Sequence, residues 1–158
     1  MSEHPNSNYI PPTAQVAADV ICVLKTDDDL KLLLIERGNE PFKGRYAIPG
    51  GFVEQNEDVK DAAIRELKEE TNVDLNTSDI KLLGVYGKPL RDPRGRTISV
   101  VYSFVTSNPN LFSKVKAQDD AKNYDFISAS ALPKLAFDHN DIIFDLLKNL
   151  KDSNLLDK

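Results

Sequence analysis

Residues 50–73, GGFVEQNEDVKDAAIRELKEETNV, carry seven carboxylates: Glu54, Glu57, Asp58, Asp61, Glu66, Glu69 and Glu70. The pattern predicts a helix over 59–71, on which Glu66, Glu69 and Glu70 fall within an arc of about 100°. Ala63, Ile64 and Leu67 form the neighbouring apolar stripe, so the acids run along the edge of the buried face, where a cleft would lie. Two like charges about 5 Å apart repel by roughly 3 kcal/mol at an effective dielectric near 20. Such a cluster either sits solvated on an outer face or is neutralised by a divalent, oxygen-seeking cation. Mg²⁺ is such an ion: it takes a few carboxylates and leaves its other positions to water or substrate phosphates. The Gly50-Gly51 pair lets the backbone approach closely enough for a carbonyl to serve as a further ligand.

Bulk properties narrow the setting. A chain of 158 residues with 41% hydrophobic and 28% charged residues fits one domain with a proper core. The net charge of -5 argues against broad binding to nucleic acid or anionic lipid. It leaves room for an anionic small substrate if cations gather locally. No apolar run approaches the ~18–20 residues of a membrane span, and MSEHPNSNYIPP has no signal-like apolar core. The single Cys22, inside VICVL, reads as a buried, inert core thiol and suits a reducing, cytoplasmic setting.

The elements that must position these residues follow from pattern. Residues 1–13, with Pro5, Pro11 and Pro12, read as a flexible arm that would let two chains of a homodimer share a site. Residues 14–151 form the domain, and 152–158 a short tail. Aliphatic runs at 16–24 and 30–35 flank the turn TDDD as a hairpin. A short strand at 45–49 stops at Pro49 and the two glycines. After the acidic helix come strands at 80–86, 98–105 and 124–127, and a closing helix at 139–150 with Asp138 as its N-cap. His139 is expected to cap or pack at that helix. The order βββαβββα has too few helices for every strand connection to be a crossover, so it implies a mixed sheet between helices.

The residues that carry chemistry also carry a resemblance. Gly51, Glu57, Arg65, Glu66, Leu67, Glu69, Glu70 and Val73 match eight of the nine defined positions of the Nudix box, G-x5-E-x7-R-E-U-x-E-E-x-G-U. The departure is Asn72 in place of the glycine that ends the helix in a left-handed conformation, where asparagine is the next best residue. Beyond the box, ADVICVL, LLLIERGNEPFKGRYAIPGGFVE, RDPRGRTISVVYSF, AQDDAKNYDFI and LPKLAFDHNDII resemble the bacterial ADP-ribose pyrophosphatase group across residues 17–145.

The resemblance implies a Nudix-type α/β/α sandwich and hydrolysis of a nucleoside diphosphate linked to another group, with ADP-ribose giving AMP and ribose 5-phosphate. It implies Mg²⁺, with Mn²⁺ as a substitute, held by Glu66, Glu69, Glu70 and the Gly50 carbonyl. Arg65 would orient the glutamates, Gly51 and Glu57 would support the loop-to-helix turn, and a loop acid, Asp120 ahead of Asp119, would act as base or extra ligand. Four cations in nine residues, Lys88, Arg91, Arg94 and Arg96, form either a solvated turn or a phosphate-binding loop. Arg91 and Arg96 are the expected substrate contacts there, with Arg37 at the end of its strand. Tyr46, Phe42 and Tyr86 are the expected shelf for a base. Two other readings stay open. One is a Nudix hydrolase of a different nucleotide: an oxidised deoxynucleotide, a dinucleotide polyphosphate or a sugar nucleotide. The other is a non-catalytic, ADP-ribose-binding regulator, which the eight residues after Leu150 disfavour because they leave no DNA-binding domain.

Overall fold

Alternating side chains on one strand sort the core into two layers. In the computed structural model, which describes residues 8–153, strand β1 (Gln15–Lys25) sends Ala18, Val20 and Cys22 to one face and Ile21 and Val23 to the other, as a period of two requires. Strand β2 (Leu30–Arg37) splits Leu33 from Leu32 and Leu34 in the same way. Helix α1 (Val59–Thr71) covers the first face with Ala62, Ala63 and Leu67. Helix α2 (His139–Asp152) covers the second with Ile142, Ile143, Leu146 and Leu150. A sheet that is apolar on both faces needs a helix on each. The α/β/α sandwich expected from the sequence is the observed architecture.

The other strands are β3 (Tyr46–Ala47), β4 (Gly50–Phe52), β5 (Lys81–Tyr86), β6 (Thr97–Thr106) and β7 (Ala121–Ser128). They complete a seven-stranded sheet of order β3-β2-β1-β6-β5, with β4 also on β1 and β7 also on β2. The β1–β6 pairing is parallel and the rest are antiparallel, so the sheet is mixed. Strand β4 differs from the sequence reading, which ended the third strand at the two glycines. Its ladder with Ala17–Asp19 of β1 comes from a non-local partner, and glycine in a strand commonly marks close backbone approach.

That extra strand has a consequence for the site. β1 pairs with β2 only at Val23–Lys25 and with β4 at Ala17–Asp19. The two long strands therefore part in the middle of the sheet, and a cavity opens between the start of β1 and the end of β2.

Local chemistry fixes the ends of both helices. Asp58 caps α1 by accepting from the Lys60 N–H at 2.9 Å. Asn72 ends α1 at φ 62°, ψ 13°, the left-handed conformation that the box glycine would supply. Its side chain adds a bond glycine lacks, donating from Nδ2 to the Lys114 carbonyl at 3.0 Å. Asp138 stands at the N-cap position of α2 but makes no capping bond, because Arg91 takes both its carboxylate oxygens. Cys22 is fully buried, and burial pushes its thiol up to about 12. Residues 1–7 of the arm, His4 among them, and 154–158 of the tail lie outside the described residues. Among the described residues no helix is long and apolar enough to cross a membrane.

Replacing Asn72 tests the helix end. Asn72→Val should lower stability by about 1 kcal/mol or more, because a β-branched side chain resists the left-handed region. Asn72→Gly should stay within about 0.5 kcal/mol of wild type, since relief of backbone strain offsets the lost exposed bond. Equal denaturation midpoints for all three proteins would show that strain at residue 72 is not what selects the residue there.

Candidate active site

The cavity between the parted strands has a volume of about 450 Å³. Glu66 and Glu70 reach it from α1, Gly50 to Phe52 from β4, and Asp19 from β1. The opposite wall comes from Arg37 at the end of β2, from the loop before β6, and from Phe137 and His139 at the start of α2.

The acids sit in poor solvent. Glu70 is 8% exposed, and its Oε2 is the single buried side-chain polar atom without a hydrogen-bond partner among the described residues. Burial, with Glu66 and Asp19 close by, pushes its carboxyl up to about 9, although the Gly50 N–H favours the charged form. Asp19 is 5% exposed, and burial lifts it to about 7 against the pull of Arg91. Glu66 is raised as well, mainly by burial, with Arg65 opposing. A buried, orphaned carboxylate oxygen beside two further acids is unfavourable as it stands, and hard-cation coordination is chemistry that would satisfy it. The donor set therefore fits a divalent ion, with Glu66 and Glu70 as its core. No three His, Cys, Asp or Glu side chains among the described residues converge into a closed ligand set, and Glu69 turns outward onto Arg65.

Arg65 organises the rim. It donates to Glu57 through Nε at 3.0 Å and Nη2 at 2.6 Å, to Glu66 Oε1 at 2.9 Å, to Glu69 Oε2 at 3.1 Å and to the Phe52 carbonyl at 3.1 Å. Hydrogen bonds from Arg65 hold the Glu57 carboxyl down at about 2. Glu57 also accepts from the Glu54 N–H, closing the turn that leads into α1. The glycines are fitted just as closely. A Cβ on Gly51 would overlap the Glu66 carboxylate, and one on Gly50 would overlap Asp19 and the Ala18 carbonyl.

The basic loop divides its labour. Arg91 has a side chain only 4% exposed and is committed to Asp138, at 2.7 and 2.9 Å, and to Ser99 at 2.8 Å. It lines the cavity as a buried cross-link between the loop and α2. Arg96 bonds the Gly87 carbonyl and is not among the lining residues. Arg94 does line it, bound to Asp92 at 2.8 Å, with its guanidinium over the rings of Phe52 and Phe137 at 5.1 and 5.5 Å. Arg37 lies over the same Phe137 ring at 5.0 Å and donates to the Pro41 carbonyl at 2.7 Å. Phe137 thus stands between two guanidinium groups, and it adopts φ 53°, a left-handed backbone that a bulky residue rarely takes. Burial, then Arg94, lowers the Arg37 pKa.

Of the residues expected from sequence, the cavity gathers Gly50, Gly51, Glu66, Glu70, Arg37, Arg91 and Asp120. Asp120 arrives there because its loop docks on the end of α1, Lys116 and Gln118 donating to the Thr71 and Glu70 carbonyls. Tyr46 lies outside the cavity, packed in the layer beneath α2, and Tyr86 bonds Asp145 at 2.9 Å. Phe42 packs edge-on against Phe137 at 4.9 Å and does not line the cavity. The aromatic rings at the cavity are Phe52 and Phe137. Sequence reasoning missed these two, Asp19, Asp92 and the position of His139. A charge inside the apolar run VAADVICVL was the available signal for Asp19.

A mixed sheet between two helices, with an acidic helix edge facing arginines across a polar cavity, is the arrangement expected of a Nudix pyrophosphohydrolase. The NUDIX domain model matches residues 14–147, and the chain belongs to that family. It is 48% identical over 122 residues to the ADP-ribose pyrophosphatase of Methanocaldococcus jannaschii, covering 77% of this chain and 69% of the relative. Its fold is similar to that of the NUDIX domain of Shewanella oneidensis NrtR complexed with ADP ribose, with a TM-score of 0.77, 28% identity and coverage of 91% and 95%. A bifunctional NMN adenylyltransferase/ADP ribose pyrophosphatase from Francisella tularensis, complexed with AMP and Mn ion, matches with a TM-score of 0.75 and 33% identity. That likeness covers 90% of this chain but only 43% of the other.

Two measurements test the geometry. Gly51→Ala should still fold, because the overlap is with the end of a side chain, but the Glu66 carboxylate must shift against its bond to Arg65, lowering turnover by about tenfold or more. The raised Glu70 carboxyl gives a signed pH effect. Its stabilising contribution is present below the ordinary value of 4.5 and is lost as pH climbs toward about 9. In EDTA, Glu70→Gln should therefore melt above wild type at pH 8, with the gap closing toward pH 5. A gap that does not change with pH would show that Glu70 is not a buried, destabilising charge.

Proposed function

We propose that this chain is a divalent-metal-dependent ADP-ribose pyrophosphatase, with water attacking the pyrophosphate to give AMP and ribose 5-phosphate. The observation that carries this reading is the pairing across one cavity of Glu66 and the unsatisfied Glu70 with Arg37 and Arg94. Acids that can hold a cation face cations that can hold phosphates. The likeness to the M. jannaschii pyrophosphatase supports the choice of substrate.

Each residue has a role in this reading. Glu66 and Glu70, with the Gly50 carbonyl, would hold Mg²⁺, or Mn²⁺ in its place, and Glu69 would join them only by turning from Arg65. When bound, the ion neutralises charge building on the pyrophosphate and makes the attacking water more acidic. Arg37 and Arg94 bind the non-bridging phosphate oxygens, and Phe137 between them keeps both guanidinium groups turned to the cavity. Arg91 works through Asp138, tying the loop to α2 so that Arg94 is presented. Asp120 accepts the proton of the attacking water as its oxygen bonds phosphorus and the bridging P–O bond breaks. Arg65 positions Glu66 and Glu69. Sensing of ADP-ribose without turnover is a second reading, favoured by the likeness to the NrtR domain bound to that ligand.

With saturating Mg²⁺, Glu66→Gln and Glu70→Gln should each lose at least about 10²-fold in kcat on ADP-ribose, since each removes charge stabilisation of several kcal/mol. Arg37→Ala and Arg94→Ala should raise KM about tenfold with a smaller change in kcat, as charge-assisted contacts of roughly 1.5–3 kcal/mol imply. Arg91→Ala should instead destabilise the fold by about 3 kcal/mol, because it leaves Asp138 unpaired. Product chromatography decides the substrate. Pyrophosphate released from a triphosphate in preference to AMP from ADP-ribose would overturn the assignment, and tight ADP-ribose binding without products would favour the sensor.

A further inference from the structure

His139 has one ring nitrogen bound within the protein and one without a protein partner among the described residues. The residue is 6% exposed, and its Nδ1 accepts the backbone N–H of Ile48 at 3.0 Å. A neutral imidazole that accepts at Nδ1 carries its proton at Nε2. Burial pushes the ring down to about 4, with Asp138 opposing and Arg91 and Arg37 adding to the effect. The ring is therefore uncharged at neutral pH, and its tautomer is fixed by the strand beside it.

No protein acceptor for Nε2 exists among the described residues. Nε2 is also not sealed into apolar packing, since Glu70 Oε2 is the single fully buried side-chain atom there without a partner. His139 lines the cavity. Its ring tilts at 43° against Phe137, 5.4 Å away, and Phe137 is the ring on which Arg37 and Arg94 rest. The same wall thus holds two cations and one neutral donor, whose N–H opens to the cavity with no protein acceptor to compete for it.

We propose that His139 is a ligand-binding residue whose Nε2–H donates a hydrogen bond from the cavity wall to an oxygen acceptor of the bound nucleotide. This rests on the ADP-ribose reading above and adds a contact to it. The donor has no charge, so it favours an oxygen acceptor through geometry, while Arg37 and Arg94 supply the attraction for anions. Its acceptor side is already occupied by Ile48, which excludes His139 from taking a proton at Nδ1 while the strand is in place.

The test uses the full chain, labelled with ¹⁵N-histidine, in Mg²⁺ with the non-hydrolysable α,β-methylene analogue of ADP-ribose. His4 is the other histidine, and His4→Ala assigns the spectrum. The expected result is a ring pattern protonated at Nε2, whose Nε2–H signal shifts downfield and becomes protected from exchange when the analogue binds. His139→Asn places an amide oxygen near the position of Nδ1, keeping an acceptor for Ile48, and sets its N–H groups near Cδ2, so that no donor reaches the position of Nε2. It should raise KM for ADP-ribose about threefold to tenfold, with kcat changed less than twofold and an unchanged melting temperature. An analogue that inhibits ADP-ribose turnover but leaves the Nε2–H signal unmoved would overturn the proposal and leave the pyrophosphatase reading standing, whether or not His139→Asn folds. Wild type that neither hydrolyses ADP-ribose nor binds the analogue would overturn that reading and this contact together.

Discussion

Three carboxylates, Asp19, Glu66 and Glu70, share the wall of one cavity, and burial raises all three above their ordinary range. Left alone, that arrangement would be relieved by protonation or by the side chains turning out to solvent. The fold prevents the second escape. Glu66 is pinned by Arg65, and Glu70 lies on the buried side of α1 against the Gly50 backbone. The glycines of β4 leave no side-chain volume in the way. The tension is held by the core beneath, where Ala62, Ala63 and Leu67 fix the rotation of α1 on the sheet.

The opposite wall solves the reverse problem, that of holding two cations close together in a partly buried place. Burial, then the neighbouring Arg94, lowers the affinity of Arg37 for its proton, and Phe137 presents a ring face to both guanidinium groups. Asp92 neutralises Arg94, and hydrogen bonds from Arg94 hold the Asp92 carboxyl below its usual range. The left-handed backbone of Phe137 is the cost of aiming that ring. Beneath it, the buried Arg91–Asp138 pair ties the loop to the first turn of α2. Removing one partner of such a pair is far more damaging than the net worth of the pair. The pair takes from Asp138 the capping bond that local sequence assigns to it.

Much of this protein was legible in the chain itself. The bounds of α1, the face shared by Glu66 and Glu70, the left-handed end at Asn72 and the two-faced core of β1 and β2 all follow from local rules of period and sterics. The match of Gly51, Glu57 and the 65–73 segment to a known motif carried the family. What the sequence could not rank were residues of equal chemistry on irregular backbone. Arg91, Arg94 and Arg96 look alike along the loop, but one is buried against Asp138, one faces the cavity and one holds Gly87. Asp19 joined the site only because β4 pairs with the start of β1 and parts it from β2. Phe137 and His139 joined it because α2 begins beside the end of β3. Helix faces are set by bonds three and four residues apart, which a sequence displays; the floor of a cavity is set by strand pairing between distant segments, which only the folded chain decides.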